Sequence, residues 1–218
     1  MEEPSHELGK GAVWGFGVAG GLGALFFLDE PIREETQKHA GATFQQASKS
    51  LSDFVRVDPV LGFNGALLAL GGAQVYATGE AGFLRAALVS TEAQLLSGLM
   101  TEGLKKGLGR ERPSQSGKER GKSFPSGHAT WAFATASVFA DRYGPPISWL
   151  SYGLAGGIAA SRVVLDAHYA SDVLAGAALG TWVGLSLSRW QGGSSRTSLG
   201  LVPFLGPRLK GLSVEMRF

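Results

Sequence analysis

Three short stretches of this 218-residue chain gather side chains that could do chemistry together. Lys105 to Pro113 (KKGLGRERP) places Lys105 and Arg112 seven residues apart and ends on a proline. Pro125-Ser126-Gly127-His128 stands directly ahead of an apolar run. Ser161 to Asp172 (SRVVLDAHYASD) carries Arg162, His168 and Asp172. Lys105, Arg112 and Arg162 supply the positive charge that the nonbridging oxygens of a phosphate ester require, the arginines in bidentate geometry. Ser126 and Gly127 add short-range donors at a helix start, where free backbone N–H groups and the helix dipole favour an anion. The set suits a tetrahedral dianion.

The histidines supply the reaction. His168 and Asp172 are four apart, so on a helix the carboxylate would accept a hydrogen bond from one imidazole nitrogen and leave the other as a nucleophile. His128, from a different loop, is placed to protonate a leaving alkoxide and later to deprotonate water. Spacing alone does not decide which histidine attacks. Taken singly, each motif has a plainer reading: basic loops set membrane topology, Pro-Ser-Gly-His makes a turn and cap, and a His/Asp pair can be structural or half of a metal site. Their combination, holding two of only four histidines, outweighs those readings. A metal hydrolase is disfavoured, because the motifs offer many cations and only two obvious carboxylates, Asp166 and Asp172.

The elements that must position these motifs read as membrane helices. Gly11 to Leu28 is uncharged for 18 residues and Pro59 to Gly79 for 21, near the roughly 20 needed to cross a bilayer. Glu2, Glu3 and Glu7 against a single Lys10 argue for a retained first helix over a cleaved signal peptide. Asp29-Glu30-Pro31 reads as the start of an amphipathic surface helix, with Ile32, Phe44, Leu51, Phe54 and Val55 loosely on one side. Gly82 to Thr101 forms a third span, in which Glu92 should face other helices or a polar cavity. Ala129 to Ala140, Tyr143 to Ser161 and Val173 to Ser188 complete six. Gly153/Gly157, Gly176/Gly180 and Gly180/Gly184 have the spacing of close helix contacts. The expected fold is an all-α six-helix transmembrane bundle over 1–191, followed by a Gly/Ser linker and tail over 192–218 with a short β-hairpin.

Lys105-x6-Arg112-Pro113, Pro125-Ser126-Gly127-His128 and Ser161-Arg162-x5-His168-x3-Asp172 together resemble the three-part signature of the type 2 phosphatidic acid phosphatase superfamily, which includes class A acid phosphatases and vanadium haloperoxidases. All eleven specified positions match, and the likeness extends over about residues 10 to 190. The resemblance implies metal-independent hydrolysis through a phosphohistidine, with no cofactor. It makes His168 the nucleophile, Asp172 its orienter and His128 the general acid and base. Lys105, Arg112, Ser126, Gly127 and Arg162 become the phosphate cradle.

Composition bounds the remaining choices. Charged residues make up 17% of the chain, below the roughly 25% usual in soluble domains. A net charge of +2 is too mild for a nucleic-acid binder, and the absence of cysteine removes disulfides, thiolate metal sites and a cysteine nucleophile. With the N-terminus inside, all three motifs reach the outer face, while Arg189, Arg196, Arg208, Lys210 and Arg217 lie inside. The expectation is therefore an integral protein of a bacterial inner membrane with a periplasmic site. Its expected partners are membrane lipids and a lipid phosphate: phosphatidic acid, phosphatidylglycerol phosphate, undecaprenyl diphosphate or a lipid A phosphate. The competing readings are a secreted soluble acid phosphatase, a haloperoxidase and a noncatalytic lipid-phosphate binder or transporter.

Overall fold

The computed structural model describes residues 26–53, 57–114, 121–192, 198–205 and 210–217. Its helices are α1 (26–39), α2 (Ala42–Asp53), α3 (Val57–Thr78), α4 (Gly82–Leu108), α5 (Gly127–Tyr143), α6 (Ile147–Val164) and α7 (Ala170–Gly192). Most of the expected first span, Gly11 to Leu28, lies outside the described residues, as do Phe54 and Val55. Strands β1 (Ser198–Leu205) and β2 (Lys210–Arg217) pair antiparallel, from Ser198 opposite Arg217 to Leu205 opposite Lys210.

Helix α5 is the hub, packed most extensively on α7 and then on α6 and α4. The α5–α7 contact follows from glycine spacing on α7. A Cβ on Gly176 would stand 2.5 Å from Ser126 O, and one on Gly184 would stand 2.5 Å from Ala134 O. A Cβ on Gly180, between them, would overlap Thr130 O. Backbone lies against backbone along this seam, as small residues permit. Gly153 and Gly157 behave differently: nothing lies within 4 Å of a Cβ on Gly153, and one on Gly157 meets only the Leu51 side chain from α2. That pair makes no helix seam of its own. Gly180→Ala should therefore lower stability by about 1–3 kcal/mol or more through overpacking, whereas Gly153→Ala should leave thermal unfolding in detergent unchanged or slightly raised. Equal effects at both positions would contradict the seam.

The interior consists of small side chains, with Val89, Ala93, Ala134, Val138 and Val183 joining α4, α5 and α7. Large apolar residues point outward, among them Leu95, Leu99, Trp149, Leu154 and Trp182. Helix α3 is held by amides: Asn64 donates to Gln94 Oε1 (2.8 Å), and Gln94 Nε2 donates to Thr135 Oγ1 (2.5 Å) on α5. Glu92 meets α7, accepting from Gln191 Nε2 at 2.5 Å, as a carboxylate turned towards a neighbouring helix should.

Two expectations about helix ends require correction. The surface segment forms two helices, broken at Ala40-Gly41, and the first is already under way at residue 26. Asp29 therefore does not begin it, and its carboxylate is used elsewhere. The chain from Leu165 to Tyr169 is a turn and loop, so His168 precedes α7 and does not share a helix with Asp172.

Candidate active site

Each motif sits where a helix ends or begins, and main-chain hydrogen bonds join the three. Helix α4 stops at Gly109, whose φ of +60° is the left-handed cap conformation that suits glycine, and its N–H closes on Lys105 O. Lys105 thus ends up on the last turn, its ammonium 2.9 Å from Glu102 and 3.5 Å from where a Gly127 Cβ would be. Ser114 N donates to Asp166 O (3.2 Å), tying the first motif to the third. Ser123 N donates to Arg110 O (2.9 Å), and Ser126 N donates to Asp172 O (2.9 Å), tying the second motif to both others.

Ser126 occupies the N-cap position of α5 without spending its hydroxyl on a side-chain cap. Among the described residues, the buried Ser126 Oγ and His128 Nε2 have no hydrogen-bond partner. An unmatched buried donor or acceptor carries a desolvation cost, and in a cluster of cations it marks a place for an oxyanion. Arg162, on the last turn of α6, is buried, and its Nη1 donates to Ser52 Oγ of α2. Arg162 and Arg112 act electrostatically on both His128 and His168, and Lys105 acts on His128. All eight residues expected at the site therefore share one locale.

The His168–Asp172 pairing arises by a route other than helical spacing. Tyr169 precedes the first residue of α7, and Asp172 reaches back so that Oδ2 accepts the Tyr169 N–H (2.9 Å), which is the back-reaching half of a capping box. This turns the carboxylate towards the loop, where Oδ2 stands 3.6 Å from His168 Nδ1, beyond hydrogen-bonding range but facing it. Nε2, on the opposite edge of the ring, is thereby directed away from Asp172. Burial pushes the His168 imidazole below the usual histidine range, and Arg162 and Arg112 add to the effect against the opposing pull of Asp172.

Several residues at the site carried no signal of their own. Ser123 Oγ donates to Asp172 Oδ2 (2.5 Å), and Arg110 Nη1 donates to Asp172 Oδ1 (2.6 Å). Arg110 stands within the first motif, where its charge alone does not distinguish it from Arg112. Helix α1 lies across the 165–169 loop: Arg33 grips Asp166 through two hydrogen bonds (2.6 and 2.9 Å), and Gln37 Nε2 donates to Val163 O and Val164 O at the end of α6 (both 3.2 Å). Asp166 has a φ of +53°, a left-handed conformation rare outside glycine.

Below these polar groups, a largely apolar groove of about 330 Å³ opens between α3, α5 and α6, lined by Phe63, Leu67, Trp131, Phe139, Leu154 and Ile158 among others. Trp131 lies one turn beyond His128 and Ile158 one turn before Arg162, so the groove and the cationic site share two helices.

A family model described as PAP2 superfamily matches residues 86–196, a stretch that contains every residue of the three motifs. The chain is 41% identical over 99 residues to the lipid A 1-phosphatase of Porphyromonas gingivalis, a match covering 44% of this chain and 21% of that protein. It thus spans about a fifth of that relative's length. Its fold is similar to the crystal structure of a transmembrane PAP2 type phosphatidylglycerolphosphate phosphatase from Bacillus subtilis, with a TM-score of 0.60 and 21% identity over 75% of this chain and 84% of that one. It is similar also to Aquifex aeolicus LpxE, with a TM-score of 0.61 and 16% identity over 73% and 94% of the two chains.

Proposed function

Because the chain belongs to the PAP2 superfamily, we propose that it is a membrane-embedded lipid phosphatase working through a phosphohistidine, without a metal ion. The observation that carries the reading is the convergence of two histidines, three cations and an unmatched Ser126 hydroxyl at one end of the bundle. Lys105, Arg112 and Arg162 neutralise the nonbridging oxygens, and Ser126 and the N-terminus of α5 donate to them. His168 Nε2 attacks phosphorus and forms a P–N bond while the P–O bond to the lipid breaks. His128 delivers its proton to the departing alkoxide. In the second half His128 takes a proton from water, the resulting hydroxide attacks phosphorus, and the P–N bond breaks to release phosphate and restore both imidazoles. Asp172 holds the His168 tautomer that keeps Nε2 available, as in other oriented nucleophiles.

The membrane setting rests on the outward-facing leucines and tryptophans and on two helices, Val60–Thr78 and Ala170–Gly192, long and apolar enough to cross a bilayer. In this reading residues 1–191 form a six-span unit, 192–218 are an appendage, and the cationic site opens at the outer face of a bacterial inner membrane. The apolar groove takes a substrate chain while the head group sits in the cradle. Lipid A phosphate heads the substrate list, on the name of the Porphyromonas relative, with phosphatidic acid, phosphatidylglycerol phosphate and undecaprenyl diphosphate beside it.

The test is phosphate release by detergent-solubilised protein from each of these four lipids and from a water-soluble ester, with and without a chelator. One lipid should be preferred and the chelator should have no effect. A preference for the soluble ester, or activity abolished by chelation, would overturn the reading.

A further inference from the structure

The orienting carboxylate is itself held by a largely buried relay of residues that are not among the eleven signature positions. Arg110 Nη1 donates to Asp172 Oδ1 (2.6 Å) and to Ser171 Oγ (2.7 Å), while its Nη2 donates to Asp29 Oδ2 (2.6 Å). The guanidinium carbon lies over two aromatic rings, 4.4 Å from the Phe26 centroid and 4.2 Å from that of Tyr169. Asp29, 2% exposed, also accepts the Ser171 N–H (2.9 Å) and the Ser171 hydroxyl (2.5 Å), so it ties the first turn of α7 to α1. Asp172 is fully buried. One oxygen of Asp172 therefore faces His168, Ser123 and the Tyr169 N–H, and the other is fixed by Arg110.

This arrangement separates Arg110 from the phosphate cations. Its terminal nitrogens are committed to two carboxylates and a serine, two aromatic rings lie against it, and the atom it controls is the far oxygen of the His168 orienter. Arginine suits the task because a planar fork can address two acceptors at once, which a lysine ammonium does with less directional control. Asp29 in turn sets the plane of the fork, and it sits on a helix that grips the 165–169 loop and the end of α6 again through Arg33 and Gln37.

We infer that Arg110 and Asp29 are positioning residues for the phosphatase reaction: Arg110 fixes the carboxylate of Asp172, and Asp29 makes that hold depend on the docking of α1. The inference rests on the roles proposed above for His168 and Asp172. Partners one shell out from the reacting atoms typically change activity by about 10–100-fold. Arg110→Ala should therefore lower kcat by that factor with KM for the preferred lipid within about twofold, because no phosphate contact is removed. Arg110→Lys should recover part of the loss, and Asp29→Asn should lower kcat in the same direction by less. Because Asp29 acts through Arg110, the Arg110→Ala/Asp29→Asn double variant should be no slower than Arg110→Ala alone.

The experiment measures kcat and KM for the purified full chain and these four variants, with unfolding temperature recorded for each. Should the alanine variant not fold, Arg110→Lys and Asp29→Asn carry the comparison, and both must lower kcat at unchanged KM. A rise in KM at constant kcat would make Arg110 a phosphate ligand and overturn the inference. So would multiplying effects in the double variant, or parent kcat in folded Arg110→Lys and Asp29→Asn. Run alongside, His168→Ala distinguishes the two levels: an active His168→Ala defeats the phosphohistidine reading itself, whereas an inactive one beside normal Arg110 and Asp29 variants defeats only the relay.

Discussion

Replacing His168 with alanine should reduce phosphate release from the preferred lipid by about 10⁴-fold or more, the scale seen when a nucleophile that works as part of a unit is removed. Cations, Ser126 and Gly127 remain in place, so lipid phosphate should still bind with near-parent affinity in a competition assay. The loss should be the same for good and poor leaving groups, because no group remains to form the P–N bond. The pH dependence of the parent supplies a second check. An ordinary imidazole gains a proton near pH 6.5, but burial and two arginines lower that of His168, so the neutral, attacking form persists to more acidic pH. The acid limb of kcat/KM assigned to His168 should accordingly fall below the usual histidine range. Stability has the same sign: the unfolded chain takes up a proton near pH 6.5 that the folded site refuses, so this contribution is complete above that pH and is lost as pH falls. Parent-level turnover in the alanine variant would end the assignment.

His128→Ala should lower turnover of lipid substrates by about 10²–10⁴-fold, the range for loss of a general acid and base, and here the leaving group should matter. An aryl phosphate with an acidic phenol departs without a proton, so the first step should recover. The second step still lacks a base for water, and phosphohistidine should accumulate. Stopped-flow traces should then show a burst of phenol close to one equivalent per protein, followed by slow release. The same loss for alkyl and aryl esters, with no burst, would remove His128 from the acid–base role and leave it as a binding group.

The residues that meet at the candidate site were legible from their types, because chemistry on a phosphate would draw on few kinds of side chain and these stood in three short stretches. Most helix positions were legible for the same kind of reason: the uncharged run from Pro59 corresponds to α3, the apolar stretch from Gly82, interrupted by Arg85 and Glu92, to α4, and Val173 to Ser188 lies within α7. The local geometry was less so. Four-residue spacing suggested that His168 and Asp172 share a helix; the structure brings them face to face because Asp172 reaches back to the Tyr169 N–H at a loop–helix junction, a different use of the same spacing. Asp29 shows the limit most clearly. Beside Glu30 and Pro31 it had the look of a helix cap, and nothing local could reveal partners 81 and 142 residues away. Gly153 and Gly180 make the matching point for packing, since both sit in small-residue spacings and only the second meets a neighbouring backbone.

The three motif loops are stitched to one another by main-chain amides and carbonyls, through the bonds from Ser114, Ser123 and Ser126. Those bonds do not depend on which side chains the motifs carry. A chemically silent variant such as His168→Ala should therefore keep the loops in place and become a receptor for its own substrate. Immobilised on beads and exposed to a total lipid extract, it would retain the lipid it can grip but not cleave, and mass spectrometry of the eluate would read that molecule out directly.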